Sequence, residues 1–319
     1  MGTGQLTRRR FIAGSGIALA AIASGTTSLQ SAAADDATIK ATITTGMIAD
    51  GVRNVGGDLV EATALMGPGI DPHLYKPTAG DINRLSDADI ILYNGLQLEG
   101  RMGDTLEGIS RSGKPVVAVA EAVPEEDRLA SQDYEDQYDP HVWFDVSLWK
   151  HVVEEITAAL SELSPDHAET FRSNADEYQA QLDELDAYVM EQAERVPQEQ
   201  RVLVTAHDAF GYFGDRYGFD VRGLQGLSTA TEAGAKDIQE MADFIAASEI
   251  RAIFVESSVP PATIEALQAA CQAKGWDVAI GGELFSDAMG DEGTEEGTYI
   301  GMVRHNIDTI VPALLGEAS

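Results

Sequence analysis

The chain has 319 residues, which at roughly 100–200 residues per domain allows two domains and argues against three. With 44% hydrophobic and 23% charged residues it has the proportions of a soluble globular protein, which excludes wholesale disorder. Twenty-one Lys+Arg against 53 Asp+Glu leave a formal −32, a field that repels nucleic-acid phosphates and suits a cation, although most of this acid reads as surface charge for solubility or salt adaptation.

Residues 1–34 read as an export address. Thr7-Arg8-Arg9-Arg10-Phe11-Ile12 is similar to a twin-arginine signal, Ile12–Ile22 supplies an apolar stretch, and Ala32-Ala33-Ala34 offers small residues for cleavage. The stretch is shorter than the roughly 20 residues of a membrane span and is broken by Gly and Ser. No Cys stands near the cleavage region to take a lipid anchor, so the mature protein is expected in the periplasm or outside the cell, associated with the envelope but not inserted in the membrane.

Short β-rich runs then alternate with helical stretches. In the first half the expected strands are 38–44, 59–66, 89–93 and 115–120; in the second they are 201–206, 220–224, 251–255 and 276–280. Amphipathic runs such as Ala235–Ala247 and Pro261–Lys274 separate them, a pattern that predicts parallel sheets and two similar α/β lobes. The acid-rich segment Glu121–Asp139 reads as a mobile surface loop. Between the lobes Ser164-Pro165-Asp166 opens an unbroken helical pattern to Pro197, with Phe171, Tyr178, Leu182, Leu185 and Val189 as its apolar stripe. The expected organisation is therefore an N-terminal lobe at 35–163, a stiff linking helix at 164–197 and a C-terminal lobe at 198–319. A stiff helix between lobes excludes a wide hinge motion. Cys271, the single cysteine, sits in LQAACQAKGW and reads as a buried thiol.

Histidine carries the chemistry. Of six, His73 lies in Gly-Ile-Asp-Pro-His-Leu-Tyr, His141 in Tyr-Asp-Pro-His-Val-Trp, and His207 ends the apolar run Val-Leu-Val-Thr-Ala. All three fall where strands of a parallel sheet end, the place where such folds bind ligands. In each Asp-Pro-His the proline restricts the chain, so the imidazole leaves a stiff turn at a set angle. His151 and His167 fall in or at the start of helices and read as surface residues; His305 reads as structural. A closed metal site needs a fourth ligand: Asp287 follows the last strand, Glu283 competes with it, and Asp208 reads as a helix N-cap. The Gly-rich, acid-rich stretch Gly290–Gly297 beside Asp287 reads as the mobile wall through which an ion would leave.

Several long motifs in order resemble the solute-binding proteins of zinc and manganese ABC importers (cluster A-I). They are GxDPHxYxPT at 69–78, DPHVWFD at 139–145, TAHDAFGYFGDRYG at 205–218, GLQGLSTATEAG at 223–234, FVESSVPP at 254–261, and GGELFSDAMG through GTYIGMVRHN at 281–306. The resemblance spans residues 35–319. It implies two (βα)4-type lobes on a rigid backbone helix, and ligation of one divalent metal ion, Zn²⁺ or Mn²⁺, by His73, His141, His207 and Asp287. It also implies delivery to an ABC permease at the membrane, with the protein acting as a monomer and not as an enzyme. The 121–139 loop lacks the histidines common in zinc-dedicated members, and His207 stands where many manganese-dedicated members have Glu, which is the pattern of the His3Asp subgroup. Two readings from other classes compete. A secreted zinc hydrolase would need an open coordination position and a placed base, and no HExxH occurs; a surface adhesin could use the same fold as a module.

Overall fold

The computed structural model describes residues 38–131 and 137–317; the export segment expected at 1–34 lies outside the described residues. Strands β1 (Ile39–Ile43), β2 (Val60–Ala64), β3 (Ile90–Tyr93) and β4 (Val116–Ala118) form one parallel sheet in the order β2-β1-β3-β4. Parallel neighbours need crossovers, which α1 (Gly46–Gly56), α2 (Ala79–Asp87) and α3 (Gly103–Ser110) supply. Both faces are covered, so the strands are apolar on both sides. Ile90 and Leu92 enter one core with Val52 and Val55 of α1, and Ile91 enters another with Leu85, Met102 and Leu106.

A helical hairpin follows, made of α4 (Val146–Leu163) and α5 (Ala168–Glu194). The Asp145 side chain caps α4, accepting from the amides of Ser147 and Leu148. The chain enters α5 through a 3-10 turn at Pro165–His167, where the Ser164 hydroxyl meets His167 Nδ1 at 2.9 Å instead of capping a backbone amide. Twenty-seven residues make α5 a rod of about 40 Å. Its expected stripe, Phe171 to Val189, is buried. It packs on α1 and α4 on the N-terminal side, and on α6 (Gly211–Tyr217) and α9 (Tyr299–Leu315) on the C-terminal side. One cluster of buried apolar side chains consequently runs from Ala41 through α5 to Leu314 without a break.

The second group of strands is β5 (Val202–His207), β6 (Asp220–Gln225), β7 (Ala252–Glu256) and β8 (Ala279–Leu284), connected by α6, α7 (Ala235–Ala247) and α8 (Ala262–Ala273). β5 pairs with β6 and β7 with β8, both parallel, and β5 lies beside β7, so the described strands form two ladders and not one four-stranded ladder. Cys271 is buried with Ile264 and Leu267 of α8, as expected.

Strand β8 starts later than the run Trp276–Ile280 predicts. Trp276 is used to end α8: its amide reaches Cys271 O and its indole N–H donates to Ile250 O at 2.6 Å. The strand then passes through Gly281, where a Cβ would lie 2.7 Å from side-chain atoms of both Ala313 and Phe254. Glycine in a strand is there to let α9 approach. The register slips by one residue at this place, with Ile253 opposite Ile280 but Val255 opposite Glu283, a bulge beside the turn that carries Asp287.

Candidate metal centre

The expected ligands sit on turns and at a strand end. His73 lies in the turn after β2, His141 opens a 3-10 turn (Val142–Phe144) leading to α4, His207 is the last residue of β5, and Asp287 follows β8 by three residues. His73 and His141 come from the first group of strands, His207 and Asp287 from the second. All four are buried, His141 and His207 completely.

Their ligand atoms converge. His73 Nε2 lies 3.3 Å from His141 Nε2, the Asp287 carboxylate lies 3.5 Å from each of those nitrogens, and His207 Nε2 lies 3.3 Å from Asp287 Oδ2. One ligand atom from each residue fits within 4.8 Å of all the others. A tetrahedron with metal–ligand bonds of about 2.0–2.1 Å has edges of about 3.3–3.4 Å, so these separations match a four-coordinate zinc-sized ion. Among the described residues, His207 Nε2 and both Asp287 oxygens are buried without a hydrogen bond. Orphaned buried polar atoms are costly and rare, and here they face one point.

The outward ring atoms set which nitrogen is free. His141 Nδ1 lies 2.7 Å from Asp139 Oδ1, and His207 Nδ1 meets Glu256 Oε2 in a short hydrogen bond. A carboxylate only accepts, so Nδ1 carries a proton and Nε2 is the inward-facing atom that would ligate an ion. Glu256 also accepts the His207 amide at 2.8 Å, and Asp139 Oδ1 accepts that of His141 at 2.9 Å. Gly211 makes room for Asp139, because a Cβ there would lie 2.7 Å from Asp139 Oδ2. His73 differs. Asp71 accepts its backbone amide at 2.8 Å, but among the described residues no carboxylate bonds its Nδ1.

Electrostatics follow those partners. Burial pushes His73 down to about 3, with Asp287 opposing and the other two imidazoles adding to the shift. Burial acts on His207 in the same direction, but the Glu256 and Asp287 carboxylates outweigh it and raise that imidazole well above its usual value. Asp287 is held below the usual carboxylate range, because the three imidazoles, His207 foremost, overcome burial.

The remaining expectations sort cleanly. Glu283 is exposed on β8, and its carbonyl meets His305 Nε2 at 3.0 Å; the His305 ring packs on Phe285, a structural role. Asp208 is not a helix cap: α6 begins after Phe210, because Ala209 and Phe210 are first buried in the core. His151 lies on α4 near Glu154, away from the cluster. The described part of the 121–139 loop is fastened: Arg128 donates to Val123 O, Leu129 exchanges a backbone bond with Asp139, and the Leu129 amide reaches Tyr212 OH. The turn that carries Asp287, next to the stretch 290–297, is held by side chains. Ser257 N and Oγ hold Leu284 O and Ala288 O, Asn306 brackets the Phe285 peptide, and Ser258 bonds Ser286. A groove of about 330 Å³ walled by Thr45, Met66, Asp287 and Met289 lies on the Asp287 side of the cluster. Glu256 and the Asp71 and Asp139 carboxylates were not among the expected functional residues; the polar residue closing the apolar run of β7 and the repeated Asp before Pro-His were the available signals.

Two α/β groups clamped on a stiff helix, with a buried cluster of imidazoles and one carboxylate between them, define a solute-binding protein built for a metal ion. Residues 42–313 match the family described as zinc-uptake complex component A, periplasmic (ZnuA). The zinc-binding protein TroA of Treponema pallidum is 56% identical over 283 residues, 89% of this chain and 91% of its own. The manganese-binding lipoprotein MntA of Bacillus subtilis is 50% identical over 279 residues, 88% of this chain and 90% of its own. A solved structure of the periplasmic zinc-binding protein TroA superposes with a TM-score of 0.85 at 55% identity, covering 87% of this chain and 99% of that one. The chain belongs to the ZnuA family. It is a solute-binding component of an ABC importer and not an enzyme.

Proposed function

We propose that this chain captures one divalent transition-metal ion through His73, His141, His207 and Asp287, and hands it to the membrane permease of its importer. The observation that carries the reading is the convergence of three imidazole nitrogens and a carboxylate at tetrahedral spacing, with buried atoms that lack any other partner. Of the two ions, zinc is the one this donor set holds more tightly, since affinity for N/O sites is higher for Zn²⁺ than for Mn²⁺. Manganese is the alternative cargo, supported by the MntA similarity, and supply in the native compartment then decides. Four protein donors close the tetrahedron and leave no position for an activated water, which suits carriage and not hydrolysis.

The protein acts as a monomer with lobes at 35–163 and 198–319 joined by the helical segment 164–197. It is exported by the twin-arginine-type signal in residues 1–34, and its acidic surface draws cations towards the groove. Among the described residues no helix is long and apolar enough to cross a membrane. The test is elemental analysis of protein purified from its native host, alongside His73→Ala. One equivalent of zinc or manganese in the natural protein, lost in the variant, supports the reading; a metal-free natural protein, or a variant that retains metal, refutes it. Replacing Arg8 and Arg9 by Lys tests the export route by leaving precursor in the cytoplasm.

A further inference from the structure

We infer that Trp143 is a positioning residue, a strut across the two lobes that sets the spacing of His141 and Asp287 before any ion arrives. Trp143 lies two residues after His141 on the short 3-10 turn, is 1% exposed, and packs edge-on against the His141 ring with centroids 5.2 Å apart. Its indole N–H crosses to the other lobe and donates to Ser286 O at 3.1 Å, one residue before Asp287. The carbonyls of this segment show what that bond does. Leu284 O, Phe285 O and Ala288 O are all satisfied from within the second lobe, by Ser257 and Asn306. Ser286 O is taken from the first lobe.

A reciprocal contact locks the strut. Tyr299, the first residue of α9, donates its hydroxyl to Trp143 O at 2.7 Å and its amide to Asp50 Oδ2 of α1 at 3.1 Å. Its ring stacks on Trp149 of α4, with centroids 5.1 Å apart and planes 17° from parallel. One aromatic residue from each lobe thus enters the other, and a hydrogen bond joins them. Every group involved is buried, so water cannot replace a lost bond cheaply. The strut presets the edge between His141 and Asp287, and it opposes the separation that releasing an ion requires.

The release arm of the test rests on the metal-receptor reading; the exchange arm does not. Trp143→Phe keeps a ring against His141 and removes only the donor. In the metal-free protein, hydrogen exchange should speed up in peptides covering 284–289 and 139–145, with the rest of the chain unchanged. In the metal-loaded protein, transfer of zinc to a chelator should be roughly three- to tenfold faster, the scale of one buried hydrogen bond. Tyr299→Phe should move both readouts in the same direction by less, and it is decisive if Trp143→Phe does not fold. Exchange at 284–289 unchanged in the folded variant, or raised uniformly along the chain, overturns the strut. A natural protein that holds neither zinc nor manganese while exchange responds as stated overturns the metal reading and leaves the strut standing. Zinc transfer at the natural rate despite faster exchange overturns the claim that the strut opposes release.

Discussion

His73 and His207 approach one point from opposite lobes, and they are held in opposite ways. His207 ends a strand and carries a carboxylate on its far nitrogen; His73 sits in a turn and is tied through its backbone to Asp71, whose other oxygen takes Thr229 Oγ1 from across the cleft. Burial alone would make both imidazoles weak bases. It does so for His73, while Glu256 reverses it for His207. Burial therefore does not determine the character of a ligand. The group behind it does, and here one ligand is built as a strong, charge-backed donor and the other as a neutral closing piece.

The largest expected effect is loss of a ligand. His207→Ala should weaken metal binding by more than the roughly 100-fold that losing a ligand's hydrogen-bonding partner can cost, and by more than His73→Ala, because it also strands Glu256. A competition titration in which His73→Ala is the weaker binder reverses the proposed order. Next in size is Glu256→Gln, which keeps the shape and removes the charge, and should cost about 10–100-fold. Asp71→Asn, which touches the His73 backbone and the Thr229 hydroxyl but no imidazole ring, should cost less. Equal losses in the two variants would erase the distinction between the lobes.

Metal at a thousandfold excess over its Kd should stabilise the natural protein by about 4 kcal/mol, because it binds only the folded chain; unfolding with and without chelator reads this directly. The pH dependence separates the two histidines further. Three ordinary imidazoles would all compete with protons near pH 6.5 and make affinity fall steeply below about pH 6. With His207 raised, an ion must displace its proton already at neutral pH, so affinity should fall by about tenfold per pH unit from the neutral range downward. His73 is neutral until pH approaches about 3 and adds nothing above that.

The signs for metal-free stability are opposed. The raised His207 stabilises below its unfolded value of about 6.5, and that gain is lost as pH rises through its folded value. The lowered His73 preserves stability above about 6.5 and loses it as pH falls towards 3. Glu256→Gln should move the onset of the affinity loss to lower pH; an unmoved onset would mean that Glu256 does not set the basicity of His207. The smallest effects are expected at His151→Ala, which should leave affinity unchanged, and in small-angle scattering, where α5 should keep the radius of gyration nearly constant on metal removal. A compaction of several ångströms on loading would show that the helix is not stiff.

Much of this was legible in the sequence, for physical reasons. Apolar runs marked the strands because both sheet faces are covered, and α5 was legible because its stripe keeps helical spacing over its whole length. His73 and His141 stood out because each leaves an Asp-Pro-His turn, a motif that appears twice, and His207 because it closes an apolar run. What could not be read depended on side chains from distant segments. Glu256 meets His207 across 49 positions, and nothing local marks it as more than a strand end. Asp139 in its motif looked like a turn former, whereas its carboxylate holds both the amide and the ring of His141. The late start of β8 was set by Trp276, whose amide and indole N–H close α8 on Cys271 and Ile250, contacts that a run of hydrophobic letters does not contain.

The apolar cluster that passes unbroken from Ala41 through α5 to Leu314 has a consequence for melting. Two lobes with separate interiors would come apart in two calorimetric steps. Here each lobe keeps a smaller core of its own, but the largest cluster joins the first sheet and α5 to Phe254 and Ile310 of the second lobe, so neither lobe can unfold without opening the interior that it shares with the other. The protein should melt as one unit, with equal calorimetric and van't Hoff enthalpies, and a chelator should lower the midpoint of that transition without splitting it. A chain cut between α4 and α5 would leave each fragment with half an interior.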